Sequence, residues 1–144
     1  MPPVATKKLT SKSTEWEAKA SLSFSIAVPP VPASRPRVTR WGVYYAKTYK
    51  TWMDAAAVAL SDVGHRVDGP LRVSLLHVVA RPKTTQRDYP RGDVDNYAKA
   101  SLDAITKCER VWDDDDQILE LITSKRFATP GEEPHTEVTV WQLT

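Results

Sequence analysis

Several segments of the chain place apolar residues in the way that β-strands do. Leu22–Val28 has an apolar residue at every second position, which predicts a strand buried on one face. Leu71–Arg81 is largely apolar on both faces, which predicts a central strand of a sheet. Ile118–Phe127 and Thr136–Leu143 predict two further strands, and Val43–Tyr45 is a shorter candidate.

Two other segments repeat apolar residues with helical spacing. Thr51–Val63 is rich in alanine, and Thr51 is the expected N-cap of that helix. Tyr97–Cys108 predicts a second helix. About four or five strands and two helices predict one mixed α/β (α+β) domain at residues 21–144, preceded by a flexible polar tail at residues 1–20.

Composition narrows the class of protein. Hydrophobic residues make up 41% of the 144 residues, enough for one core. No apolar run approaches the roughly 20 residues of a membrane span, and the first residues lack the apolar core of a secretion signal. Cys108 is the single cysteine, so no intrachain disulfide forms, as is typical of proteins of the reducing cytoplasm.

The charges of the chain are divided between its two parts. Residues 1–91 hold 15 Lys/Arg and 6 Asp/Glu, a net charge of +9, whereas residues 92–144 hold 5 and 12, a net charge of −7. This division suits a protein whose basic part binds a polyanion and holds it against a metal-binding centre in the acidic part. Mutual neutralisation at the surface is the alternative, and charge alone does not choose between them.

Two basic segments are candidates for contact with DNA. Residues 33–48 interleave basic residues with tryptophan and tyrosine, a combination that suits phosphate contacts and base packing. Residues 82–91 form a proline-containing loop that leads into an acidic stretch. A solvated hairpin and a solvated loop are the structural alternatives. The candidate DNA-binding residues are Arg35, Arg37, Arg40, Lys47, Lys83, Arg87 and Arg91.

Acidic residues lie at both ends of the second predicted helix. Asp93 and Asp95 point the same way if their segment is extended, and Asp95 or Asn96 is then the expected helix cap. Asp95, Lys99 and Asp103 are four residues apart, so they share one helix face. A chain that returns after Trp112 would bring the aspartates of residues 113–116 beside them.

Such carboxylates are the ligands that Mg²⁺ prefers. The sequence has no EF-hand spacing, no P-loop and no glycine-rich dinucleotide motif. Metal-assisted phosphoryl transfer is therefore the chemistry that the pattern favours. The alternative is a solvated acidic surface with an ordinary helix cap.

The acidic region contains the motif Gly92-Asp93-x-Asp95-Asn96-x-x-Lys99-x-x-Leu102-Asp103-Ala104-Ile105, followed by Trp112-x-Asp-Asp115-Asp116-Gln117-Ile118. This pattern resembles the RusA family of Holliday junction resolvases. Two upstream segments are similar to those of the phage-type members of this family: Arg35-Pro36-Arg37-Val38-Thr39-Arg40 and Tyr45-x-x-x-x-Tyr49-x-x-Trp52. The resemblance covers about residues 24–143. It implies a small mixed α/β homodimer that cleaves four-way DNA junctions with Mg²⁺, or Mn²⁺ as a substitute, in recombination and repair.

The resemblance also implies roles for individual residues. The catalytic aspartates would be Asp93, Asp95 and one of Asp114 and Asp115, and counting back from Gln117 favours Asp115. The same three aspartates and Asp114 are the candidate metal ligands, and Lys99 is the catalytic lysine. Because four aspartates run together here, the choice among residues 113–116 stays open.

Two other functions remain as alternatives. One is a less selective metal-dependent nuclease that acts on flaps or forks, and the other is a non-catalytic module that binds DNA junctions. The junction's two-fold symmetry predicts a homodimer, through Leu71–Arg81, Thr136–Leu143 or the tryptophan-bearing segments. The expected location is the cytoplasm, that of a bacterial host if the protein is encoded by a phage.

Overall fold

The computed structural model describes residues 16–34, 37–40, 42–44 and 47–144. Residues 37–39 and 42–44 are described by their backbone only. The strands are β1 (Ala18–Ile26), β2 (Arg37–Thr39), β3 (Gly42–Tyr44), β4 (Leu71–Val79), β5 (Ile118–Phe127) and β6 (His135–Leu143). The helices are α1 (Lys47–Ala59) and α2 (Val94–Cys108), with a 3₁₀ turn at Asp115–Gln117. The prediction of a small α+β domain is confirmed.

The main sheet has four strands in the order β1-β6-β4-β5. Strand β6 is antiparallel to both β1 and β4, whereas β5 is parallel to β4. Helix α2 lies in the connection from β4 to β5, because parallel neighbours need a crossover. Strands β2 and β3 form a separate antiparallel pair. The prediction that β4 is a central strand is confirmed.

The core joins the sheet to both helices. Leu71, Val73 and Leu75 of β4 are buried in one cluster with Trp52 of α1 and Ile105 of α2. This packing fixes α2 against β4 and β5, so residues on the outer side of α2 lie beside the start of β5. No helix within the described ranges is long and apolar enough to cross a membrane.

The predicted starts of β1 and α1 were wrong. Strand β1 begins at Ala18 rather than Leu22 because its backbone pairs with β6 as far as Leu143, so residues 18–20 of the predicted tail belong to the sheet. Helix α1 begins at Lys47 because buried Tyr49 extends its apolar face by one turn. Thr51 is therefore an exposed residue inside α1, not its N-cap. Residues 1–15 lie outside the described residues.

The sheet order restricts where a second subunit can pair. β4 and β6 each have neighbours on both sides, so neither of these two predicted interface strands offers a free edge. The free edges of the described sheet are β1 and β5. Strand β5 carries three exposed apolar side chains, Leu119, Leu121 and Ile122.

Candidate active site

Helix α2 and the start of β5 form an open depression of about 220 Å³ at the surface. Its lining includes Asp95, Lys99 and Asp103 of α2 and Leu121 and Thr123 of β5. Asp115, from the turn before β5, completes the acidic part of the lining. The structure thus brings three of the four predicted catalytic residues, Asp95, Lys99 and Asp115, to one place.

The α2 wall of the depression follows from residue spacing. Asp95, Lys99 and Asp103 lie four residues apart on a regular helix and therefore share a face. The Lys99 ammonium donates to the Asp103 carboxylate over 3.2 Å, and the Tyr49 hydroxyl donates to the same carboxylate oxygen over 3.4 Å. Asp103 was not among the predicted site residues, although its spacing from Lys99 identified the face on which it lies.

Asp93 is placed differently from its predicted partner Asp95. It is the N-cap residue of α2, with φ −77° and ψ 141°, and its backbone carbonyl accepts from the amides of Asn96 and Tyr97. Its carboxylate is exposed and makes no capping hydrogen bond to the described helix. The predictions of an extended Asp93–Asp95 segment and of a cap at Asp95 or Asn96 were wrong, because the helix already begins at Val94.

The chain returns to the depression through a short turn after α2. Glu109, with φ 59°, ends the helix in the left-handed conformation. Val111 and Trp112 are then fully buried, and the Trp112 indole donates to the Thr106 hydroxyl over 2.8 Å. This anchor fixes where the run of aspartates begins.

The four aspartates of the run have different surroundings. Asp113 is paired with Arg66, and Asp114 accepts from the Asp116 amide over 3.1 Å as the N-cap of the 3₁₀ turn. Asp116 is exposed. All four lie in the described part of the chain, and Asp115 alone lines the depression. The geometry therefore singles out the residue that counting back from Gln117 had favoured.

Gln117 holds the run in place. Its side-chain oxygen accepts from the amides of Asp113 and Asp114 over 2.8 and 3.2 Å. Its side-chain nitrogen donates to the carbonyls of Val67 and Gly69 over 3.2 and 2.9 Å. One amide side chain therefore ties the turn both to itself and to the segment before β4.

Burial and, to a smaller extent, acidic neighbours raise the pKa of Asp115 above its ordinary value. Burial is the largest cause, and the hydrogen bond and charge of Asp114 add to it, as does the charge of Asp103. The Lys99 ammonium opposes the shift. A carboxylate that is disfavoured by neighbouring carboxylates is stabilised when a cation joins them.

The donor set fits a hard divalent cation. All the candidate ligands are carboxylates, as Mg²⁺ prefers. In the part of the chain that the structure describes, no three Asp, Glu, His or Cys side chains are already gathered as a metal cage. Mg²⁺ is commonly held by one or two carboxylates together with waters and substrate phosphate, so the arrangement suits an ion that arrives with its substrate.

The candidate DNA-binding residues have unequal support. Arg40, Lys47, Lys83 and Arg91 are exposed. Arg87 is half-buried and donates to the Tyr89 carbonyl over 3.1 Å, with its guanidinium 4.8 Å from the Tyr89 ring centre. Arg37 is described only as backbone of β2, and Arg35 lies outside the described residues.

A buried histidine of β4 lies close to α2 and β5. His77 is fully buried, with its Nε2 3.1 Å from the Thr123 hydroxyl. Burial lowers the pKa of His77 to about 4, so the ring is uncharged at neutral pH. Its ring centre lies 5.5 Å from that of Tyr97 on α2.

Comparison with known proteins identifies the family of the chain. The family described as endodeoxyribonuclease RusA matches residues 27–141, which include the whole depression and the strands around it. No curated protein matches the chain. Because the match spans most of the 144 residues, the chain belongs to the RusA family of endodeoxyribonucleases.

Proposed function

We propose that the protein is a Mg²⁺-dependent endonuclease that resolves four-way DNA junctions by paired nicks, in recombination and repair. The observation that carries the proposal is the convergence of Asp95, Lys99 and Asp115 on one open depression in a chain of this family. These residues come from α2 and from the turn before β5, and the fold rather than sequence proximity joins them.

Asp95 and Asp115 are the residues that would hold the cation, with Asp93 and Asp114 beside them in the chain. When bound, a divalent cation supplies charge stabilisation at the phosphate and lowers the pKa of its water. Lys99 supplies a fixed positive charge on the wall of the depression, where a scissile phosphate would lie. Asp103 orients the Lys99 ammonium and is itself held by Tyr49.

The exposed basic residues supply sequence-independent affinity for DNA. Lys83 and Arg91 belong to the loop that leads into Asp93, so a backbone bound there passes close to the start of α2. We expect the combined neutralisation of Arg35, Arg37, Arg40, Lys83 and Arg87 to weaken binding. Each lost contact should reduce the log–log salt slope by about 0.9 on duplex DNA. An unchanged slope would place the DNA elsewhere.

A homodimer completes the proposed reaction. One chain contributes one such depression, whereas a four-way junction needs two symmetric nicks. The β5 edge offers apolar side chains suited to a two-fold interface, with Leu119 52% and Ile122 54% exposed. Light scattering should give twice the mass of the 16.1 kDa chain. A monomer mass that persists on junction DNA would contradict both the dimer and the paired nicks.

The test is cleavage of an end-labelled four-way junction with Mg²⁺, with Mn²⁺ and without metal. We expect paired nicks with either metal and none without, and we expect flap substrates to be cut more slowly. Tight junction binding without cleavage in either metal would instead support a binding module. Flap cleavage at the junction rate would support a broader nuclease. We expect the protein to act in the cytoplasm, that of a bacterial host if a phage encodes it.

The aspartates can be tested one by one. Asp93→Asn and Asp95→Asn each remove a negative charge and keep the shape of the side chain, so both should abolish cleavage and keep junction binding. Near wild-type cleavage by either variant would remove that residue from the proposed metal site.

A further inference from the structure

Three successive backbone carbonyls just before Asp93 are held by side chains from the body of the protein. The Tyr97 hydroxyl donates to the Arg91 carbonyl over 2.8 Å. The Lys125 ammonium donates to the Pro90 carbonyl over 2.6 Å and also to the Gly92 carbonyl. The segment Pro90–Gly92 is therefore fixed from one side, although Arg91 and Gly92 themselves are exposed.

Lys125 reaches this segment from strand β5. Leu121 and Thr123 of the same strand line the acidic depression, and Lys125 continues that face two residues further on. Its ammonium also lies 5.6 Å from the centre of the Tyr89 ring. Strand β5 thus forms one wall of the depression and also supports the turn that leads into α2.

The partners of Lys125 are unusual for a lysine next to an acidic site. Within the described part of the chain, no carboxylate forms an ion pair with it. The ammonium instead donates to two neutral carbonyls, and its side chain is half-buried. Because two of its three donors are occupied by backbone, Lys125 is built to hold a turn rather than to bind a passing phosphate.

The turn is also packed closely against neighbouring residues. Gly92 has φ +93°, and a Cβ there would lie 3.1 Å from the Tyr97 ring and 3.3 Å from Pro32. The Asp93 carboxylate makes no capping hydrogen bond to the described helix, so the start of α2 is not fixed by its own cap. The support from Lys125 and Tyr97 replaces that missing cap.

We propose that Lys125 is a positioning residue for catalysis, which holds Pro90–Gly92 so that Asp93 and the first turn of α2 present their carboxylates to the metal and the phosphate. The inference rests on the proposed function, because it assigns Asp93 and Asp95 to the reaction. A displacement of about 1 Å in such a site costs on the order of 100-fold in rate. Lys125 therefore acts through the backbone and does not touch the substrate.

The test compares Lys125→Met with Lys107→Met. Lys107 is an exposed lysine in the last turn of α2, so the control removes the same charge far from the turn. In single-turnover cleavage of junction already bound in Ca²⁺, we expect Lys125→Met to cut about 10- to 100-fold more slowly. We also expect it to need more Mg²⁺ for half-maximal rate, whereas Lys107→Met behaves as wild type.

Two companion variants separate positioning from other roles. Lys125→Arg keeps donors that reach carbonyls and should recover part of the rate. Tyr97→Phe keeps the ring, loses the hydrogen bond to the Arg91 carbonyl and should slow cleavage to a smaller extent. Should Lys125→Met fail to fold, Tyr97→Phe still tests the same support. A role in phosphate binding predicts weaker junction binding and a shallower salt slope for Lys125→Met, and that result would overturn the proposal.

Amide hydrogen exchange separates this inference from the proposed function. Lys125→Met should speed exchange at residues 93–97 whether or not the protein cleaves junctions. If wild type cleaves but Lys125→Met and Tyr97→Phe cleave equally fast with unchanged exchange, positioning by Lys125 is wrong and the function stands. If wild type does not cleave but exchange rises as expected, the function is wrong and the structural role of Lys125 stands.

Discussion

The two acidic segments that meet at the depression are stabilised in opposite ways. The segment that leads into Asp93 is supported from outside, by Lys125 on β5 and by Tyr97 on α2. The aspartate run is supported mainly from inside, by its own cap at Asp114 and by Gln117. One segment depends on Lys125, which is distant in sequence, and on Tyr97 of the following helix, whereas the other depends largely on residues within it.

This difference decides what each segment can tolerate. A self-supported turn keeps its shape when its neighbours change, so the aspartate run can place Asp115 while the carboxylates of Asp114 and Asp103 repel it. An externally supported turn moves when its supports are removed, so the position of Asp93 depends on the packing of β5 and α2. Substitutions in the two segments should therefore have different consequences.

Gly92→Ala should have the largest effect on stability. A Cβ at φ +93° is strained and also meets the Tyr97 ring, so we expect a loss of about 2–4 kcal/mol in the free energy of unfolding. Gly131→Ala is the matched control, because Gly131 has φ +85° and nothing within 4 Å of its added Cβ. Equal losses in urea unfolding would show that the contact with Tyr97 contributes nothing.

His77 lies beside Tyr97, which supports the first segment, and should make the free energy of unfolding depend on pH. Its folded pKa of about 4 lies below its ordinary 6.5, so the unfolded chain takes up a proton first as pH falls. The contribution of neutral His77 to the free energy of unfolding is complete above pH 6.5. It falls by about 2–3 kcal/mol as the pH drops from 6.5 to 4. Urea unfolding of wild type and His77→Gln at pH 7 and 4.5 measures this, and parallel losses in both proteins would exclude His77 as the cause.

Gln117→Glu tests the second segment. The carboxylate keeps the acceptor for the amides of Asp113 and Asp114 but loses the donor to the carbonyls of Val67 and Gly69. It also adds charge beside four aspartates. We expect a loss of about 1–3 kcal/mol in the free energy of unfolding. Unchanged stability would mean that the run does not need this side chain.

Lys99→Met should have the smallest effect on stability. Its ion pair with Asp103 is exposed, with the lysine side chain 65% accessible, so the free energy of unfolding should change by about 0.5 kcal/mol or less. Cleavage should nevertheless fall strongly, because the variant removes the positive charge from the wall of the depression. A clear drop in melting temperature with normal cleavage would make Lys99 a structural residue.

The comparison also explains what the sequence could predict. The apolar run of β4 and the helical spacing of Asp95, Lys99 and Asp103 are local, and both were correctly interpreted. Asp115, which lines the depression, was favoured by the family resemblance when counted back from Gln117. Contacts such as Lys125 to Pro90 join residues 35 positions apart, and no periodicity reveals them.

The wrong predictions share a physical cause. Strand β1 extends to Ala18 through backbone pairing with β6, which needs no apolar side chain and leaves no hydrophobic pattern. Asp93 became the N-cap although Asp95 and Asn96 are equally good capping residues by type. We attribute that choice to the turn at Gly92, which has φ +93° and lies close to Tyr97 and Pro32.

The most direct test compares Asp115→Asn with Asp116→Asn in cleavage of a bound four-way junction in Mg²⁺. The two residues are adjacent in one turn, but Asp115 lines the depression and Asp116 is exposed outside its lining. We predict that Asp115→Asn binds the junction and no longer cuts it, while Asp116→Asn cuts at close to the wild-type rate. Cleavage by Asp115→Asn at the wild-type rate would contradict the assignment of this depression as the nuclease site.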